Sequence, residues 1–103
     1  MTAPTHSSAS VRVIAYKEGD GPWLAQCLEY DIAAQGDTPD EAYERVLIEL
    51  ELDRQESIRV HGAPFAGIER APHHFFDLWE RRVKTLGSHK QIDHTDVEMA
   101  LAA

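Results

Sequence analysis

The sequence predicts an α+β domain in which a three-stranded antiparallel meander is packed against one long helix and followed by a second, amphipathic helix. Three observations support this prediction: strand-like alternation of apolar residues over 11–35, a sharply delimited helix beginning near residue 39, and aromatic residues at helical spacing after residue 73. At 103 residues the chain has the length of one domain.

The first strands are predicted from alternation and from the turn residues between them. Residues 11–17 alternate Val11, Val13 and Ala15 with other side chains, which is typical of a half-buried strand. Asp20-Gly21 then favours a tight hairpin turn. The second strand covers 22–28, and a short third strand surrounds 32–35, so the three strands form an antiparallel meander.

The long helix has clear start and stop signals. Thr38 is suited to cap the helix with Glu41 reaching back in a capping box, and Pro39 suits the first helical position. Gly62 is a typical stop, which predicts a helix over 39–61. Its apolar stripe should cover the sheet and consists of Ala42, Tyr43, Val46, Leu47 and Leu50.

The remaining segments are assigned from composition. Residues 1–10 are small, polar and uncharged, which predicts a flexible arm. Residues 63–72 are rich in glycine, alanine and proline and are predicted to be a connector. A second helix is predicted over 73–86, and 87–103 is expected to be a tail with a short helix beginning near Thr95.

The second helix is the candidate partner or dimer face. Phe75, Trp79, Val83 and Leu86 fall on one helical side. This apolar surface has two interpretations that remain open: packing on a second copy, or packing within the chain's own domain.

Composition excludes several function classes. Ten basic against eighteen acidic residues give a net charge of −8, which opposes nonspecific binding to nucleic acid. No apolar run is long enough to span a membrane, and the beginning of the chain does not have the pattern of a secretory signal. One cysteine, Cys27, excludes an intrachain disulfide. A cytoplasmic location is therefore expected.

The charge is concentrated in the first half of the chain. Residues 11–62 carry five basic and twelve acidic residues, whereas residues 63–103 carry five and six. The acidic half suits a basic partner, although simple solubility is the explanation that the sequence alone favours.

No set of residues in the sequence predicts catalysis, a cofactor or a metal ion. Glycine-rich phosphate loops and the common hydrolase motifs are absent from the sequence. His73 and His74 are adjacent, and neighbours on a helix diverge by about 100°, so both cannot face one ion. Cys27 is interpreted as a buried strand residue, and Asp37 and Asp40 as helix-start residues.

Residues 11–42 resemble the HicB-like antitoxin domain. The resemblance rests on the Asp20-Gly21 hairpin, the turn at 28–31, and Gly36-Asp37-Thr38 followed by Glu41-Ala42 inside the helix start. It extends over about residues 11–60, so that 11–62 is predicted to be the HicB-like unit.

The resemblance implies a β-β-β-α domain with a partial RNase H-like fold that binds a small basic ribonuclease toxin. The family's usual DNA-binding segment is not evident after Gly62, so no nucleic-acid partner is expected. Two hypotheses follow: a HicB-like module that neutralises a toxin, or a stand-alone homo-oligomeric scaffold or small-ligand-binding domain. In neither is the protein an enzyme.

Overall fold

The computed structural model describes the backbone of residues 9–92 and 95–102, and the side chains of residues 10–81 and 95–102. The protein is α+β. Along the chain the elements are β1 (Ala9–Lys17), β2 (Trp23–Cys27), β3 (Ala33–Gly36), α1 (Pro39–His61), α2 (His73–Arg82), β4 (Val83–Ile92) and β5 (Thr95–Ala102).

The strands form one mixed sheet in the order β3-β2-β1-β5-β4. The strand β2 pairs antiparallel with β1 and with β3. The strand β5 pairs parallel with β1, with Val11 opposite Val97 and Val13 opposite Met99. The strand β4 pairs antiparallel with β5 at the edge of the sheet. The central strand is therefore β1, which has a hydrogen-bonded neighbour on each side.

Both faces of the sheet are covered by a helix. One core cluster joins α1 to residues that alternate along β1, β2 and β5; it includes Val11, Val13, Ala15, Ala25, Cys27, Val97 and Met99. The opposite side chains of β1 belong to a second cluster with α2, centred on Ile14, Leu28, Ala71 and Phe75. The prediction of a half-buried first strand is wrong, because Ile14 is as fully buried as Val13.

The helix α1 begins and ends where the sequence predicts. The Glu41 amide donates to the Thr38 hydroxyl at 3.1 Å, and the Asp37 amide donates to the Glu41 carboxylate at 2.6 Å. The carboxylate thus reaches one residue further back than the capping box requires. Gly62 closes the helix in the left-handed conformation at φ 81°.

The second helix is shorter than predicted, and the strand after it was missed. The helix α2 ends at Arg82, and residues predicted as its last turn belong to β4. The backbone of β4 satisfies one edge of β5, which would otherwise expose unpaired amide and carbonyl groups. Helical spacing at Val83 and Leu86 is thus overridden by pairing with β5.

The predicted tail helix near Thr95 is also wrong, because residues 95–102 form β5. Thr95, Val97 and Met99 are buried and alternate with the less buried Asp96 and Glu98, which is a strand period. The first strand is also longer than predicted, because β1 begins at Ala9, inside the predicted arm 1–10. Residues 1–8 of that arm lie outside the described residues.

The turn between β1 and β2 uses a different glycine from the predicted one. The Gly21 amide donates to the Glu18 carbonyl at 3.1 Å. Gly19, with φ 58°, takes the left-handed conformation within this turn. The predicted hairpin is present, but its positive φ lies two residues before Gly21.

Loss of the α1 cap should destabilise the protein. We expect Thr38→Ala to lower the free energy of unfolding by about 1 kcal/mol, because the Glu41 amide loses its acceptor. Urea denaturation followed by circular dichroism measures the change. Thr38→Ser keeps the hydroxyl and should stay close to the wild type; equal losses in both variants would contradict the capping role.

Removal of the Tyr43 hydroxyl should stabilise the protein. Among the described residues, this buried hydroxyl has no hydrogen-bond partner. A buried polar group without a partner is unfavourable, so Tyr43→Phe should raise the free energy of unfolding by about 1 kcal/mol. Tyr30→Phe is the comparison, since Tyr30 is only half-buried. A loss of stability in Tyr43→Phe would show that the hydroxyl is satisfied.

Candidate functional site

The outward side of α1 exposes two large apolar side chains. Ile48 is 60% exposed and Leu52 is 54% exposed. They lie one helical turn apart, on the side opposite the buried Val46 and Leu50. We call the surface formed by Ile48, Leu52 and their exposed neighbours Glu44, Arg45 and Glu49 the outer α1 face.

This helix is strongly acidic. It carries seven acidic and three basic residues, so its net charge is −4 with histidine neutral. Each arginine is already paired with a glutamate of the same helix: Arg45 with Glu41 at 3.5 Å, Arg54 with Glu51 at 3.0 Å, and Arg59 with Glu56 at 2.5 Å. Hydrogen bonds from Arg54 and Gln55 lower the pKa of Glu51. The arginines therefore offset their own glutamates and leave the helix with excess negative charge.

A groove lies beside the C-terminal half of α1. One wall is a helical stripe with Asp53, Glu56, Ser57, Val60 and His61, and the other is the loop around Gly67. Asp31 and Ile32 also line this open groove, which has a volume of about 540 Å³. We call this surface the acidic groove.

The loop that forms the groove is fixed to the sheet. The Asp31 amide donates to the Glu69 carbonyl at 2.7 Å. Phe65 is 3% exposed and stacks on Tyr30 with ring centroids 4.3 Å apart. Phe65 keeps a positive φ of 61°, which is unusual for a bulky side chain and is held by this packing. The wall of the groove opposite α1 is therefore an ordered part of the fold.

Of the three residues predicted to form a partner face on the second helix, the structure describes the side chains of Phe75 and Trp79. Phe75 is 8% exposed and packs inside the chain, with its ring 5.5 Å from that of Tyr16. Trp79 is half-buried, and Val83 lies in β4 with its side chain outside the described residues. These aromatic residues are needed to cover the second face of the sheet.

An ion pair between an arginine and a glutamate lies beside the half-buried aromatic residues of α2. The Arg12 Nε donates to Glu29 at 2.8 Å, and the Arg12 amide donates to the other carboxylate oxygen at 2.6 Å. The guanidinium lies over Phe76 and Trp79, 5.4 and 5.5 Å from their ring centroids. Arg70 approaches Phe76 to 4.5 Å. These contacts cover Phe76 and Trp79 with charged groups of the same chain.

The two adjacent histidines of α2 each have a local contact. His73 lies 3.3 Å from the Asp77 carboxylate, and the His74 ring packs 4.1 Å from that of Phe75. Within the described residues, no three histidine, cysteine or acidic side chains are arranged to hold a metal ion. In the same part of the chain, no helix combines the length and hydropathy needed to cross a membrane.

Cys27 should be unreactive in the native protein. The side chain is fully buried, and burial raises the pKa of its thiol to about 12. Since the thiolate is the reactive form, we expect almost no modification by a thiol reagent at pH 8 and complete modification in denaturant. Reaction with Ellman's reagent measures both. Fast modification of the folded protein would contradict this burial.

Comparisons with protein-family models, curated proteins and solved structures found no match to this chain. The site must therefore be interpreted from its own geometry. The features that sequence analysis missed are the outer α1 face and the acidic groove. The sequence does contain a signal for the outer α1 face, because Ile48 and Leu52 are four residues apart and lie outside the predicted core stripe.

Proposed function

We propose that this protein is a non-catalytic, HicB-like protein-binding module that binds a small basic protein through the outer α1 face. The observation that carries the proposal is the exposure of Ile48 and Leu52 in the middle of an acidic helix. An apolar centre with a charged rim is the usual composition of a protein interface.

The order of the first elements supports the family assignment within this proposal. Three antiparallel strands followed by α1 is the β-β-β-α arrangement that the resemblance implies. We propose that it is a partial RNase H-like fold, to which this chain adds β4 and β5.

The charge of the helix defines the partner chemistry. A protein with lysine or arginine around an apolar patch would complement both the carboxylates and the exposed side chains of the outer α1 face. In the antitoxin form of the proposal, the partner is a small basic ribonuclease toxin in the cytoplasm, which loses activity on binding.

A homo-oligomeric scaffold is the alternative, and the same exposed pair is the observation that favours it. Two copies could bury Ile48 and Leu52 against each other. Such pairing would bring together two helices that each have a net charge of −4, which is unfavourable. A basic partner removes this repulsion, so we favour the heterologous complex.

The proposal predicts that binding depends on the apolar pair. Tagged wild-type protein purified from its source cells should recover a small basic protein in equal amount, and recovery should fall as salt is raised. Ile48→Ser with Leu52→Ser should reduce the affinity by about tenfold or more, since each loses an apolar contact of about 1 kcal/mol. Calorimetry with the purified partner measures the change, and a ribonuclease assay of that partner tests the antitoxin form.

Ile58→Ser is the matched control, because Ile58 is 40% exposed on the same helix but lies off the outer α1 face. It should bind like the wild type, and urea denaturation should show that all three proteins fold equally well. Recovery that is insensitive to the double substitution would overturn the proposal. Recovery of the bait alone as a defined oligomer, dispersed by the same substitution, would establish the alternative.

A further inference from the structure

The exposed side of α1 has the spacing at which one helix contacts another. Arg45, Ile48, Leu52 and Gln55 are all exposed, and successive members are three, four and three residues apart. Side chains at alternating steps of three and four residues form one line along a helix, as the a and d positions of paired helices do. We call this line the α1 seam, and the apolar pair Ile48 and Leu52 occupies its middle.

The helix that carries the seam is already held in place by the rest of the chain. Val46 and Leu50, on the side opposite the seam, are buried in the core. The cap at Thr38 and the stop at Gly62 fix the two ends of α1. A preformed helix loses little conformational entropy on association, so contacts with the seam are not offset by the ordering of α1.

Glutamates flank the seam on both sides. They occupy the e and g positions that belong to this seam, which meet the flanks of a neighbouring helix. One side has Glu44 and Glu51, and the other has Glu49 and Glu56. Both Glu44 and Glu49 are exposed, and the three arginines of α1 form their ion pairs with Glu41, Glu51 and Glu56. Glu44 and Glu49 therefore place a negative charge on each side of the apolar pair.

The same glutamates disfavour a second copy of this chain on the seam. In a parallel pair of helices the g position of one helix meets the e position of the other, and in an antiparallel pair like positions meet. Either alignment of two α1 helices would bring glutamate towards glutamate, which is unfavourable. A helix with lysine or arginine at these positions would instead form ion pairs along both flanks.

The flanks also distinguish a helix from a strand as the element that binds. An amphipathic helix presents apolar residues in one line and charged residues on both sides of that line, which is the arrangement of the seam itself. Strands send alternate side chains to opposite faces, so the side chains that a strand places on α1 form a single line without flanks. Two helices can also remain in contact along the whole seam, because they pack at an angle of about 20°.

We propose that the basic partner binds the outer α1 face with an amphipathic helix, which places apolar residues on Ile48 and Leu52 and lysine or arginine residues beside Glu44 and Glu49. This inference rests on the proposed function. It adds the secondary structure and the charge arrangement that the partner must present.

Titration of the full-length, ¹⁵N-labelled protein with synthetic peptides tests the proposal. The first probe is acetyl-(Leu-Ala-Gln-Ile-Lys-Ala-Lys)₃-amide, which when helical has an apolar line flanked by lysine. The second probe has glutamate in place of every lysine. The third is the first with proline in place of both alanines of its central repeat, which prevents a helix. We expect the lysine peptide to shift the amide signals of Arg45, Ile48 and Leu52 in a saturable way below about 1 mM, and to bind at least about tenfold tighter than the other two.

Reversal of the flanking charges tests the charge arrangement. In the variant Glu44→Lys with Glu49→Lys, the preference for the lysine peptide over the glutamate peptide should fall to less than about twofold or reverse. Glu69→Lys with Glu80→Lys changes the net charge equally at exposed positions outside α1, and it should keep the wild-type preference. Urea denaturation checks that both variants remain folded.

No saturable shifts with the lysine peptide, equal binding of the proline peptide, or equal changes of preference in the two variants would overturn the proposal. If the peptides fail while a basic protein is still recovered through Ile48 and Leu52, the proposed function stands and the partner binds without a helix. Conversely, if the lysine peptide binds and no partner is recovered from cells, the proposed function fails while the preference of the outer α1 face for a basic helix stands.

Discussion

The structure depends on the burial of β1 on both faces and along both edges. Val13 packs towards α1 and Ile14 towards α2, and both are 0% exposed. Its backbone is paired with β2 on one side and with β5 on the other. A parallel neighbour requires a crossover connection, so α1 and α2 lie between β1 and β5 in the chain. The helices therefore form part of this connection, and they also cover the two faces of the sheet.

This arrangement decides which surfaces are left for binding. The aromatic residues of α2 cover the second face of the sheet, with Phe75 buried and Trp79 beneath Arg12. The helix α1 uses one side for the core, while its other sides supply the outer α1 face and one wall of the acidic groove. Both surfaces lie on a helix with a net charge of −4, so both suit cationic ligands.

The motif that carries the family resemblance has a structural explanation in this chain. An added Cβ at Gly36 would lie 2.6 Å from the Ala42 amide nitrogen, so glycine allows β3 to end directly against the start of α1. Thr38 and Glu41 then complete the cap. These residues are explained by the shape of the helix start and need no partner to account for them. In our proposal, the partner is instead contacted by the exposed Ile48 and Leu52.

The sequence by itself determined the elements whose signals are local. The strands β1 to β3 and the bounds of α1 follow from alternation, a glycine turn, the cap at Thr38 and the stop at Gly62. The strands β4 and β5 were decided by tertiary structure, because β1 has a second edge that needs a partner and a distant segment supplies it. The acidic groove is likewise tertiary, since its lining combines Asp31, Asp53 of α1 and the loop around Gly67, which are far apart in the sequence. Local patterns specify helices and turns, whereas long-range pairing and the surfaces it creates depend on contacts that no short window of sequence contains.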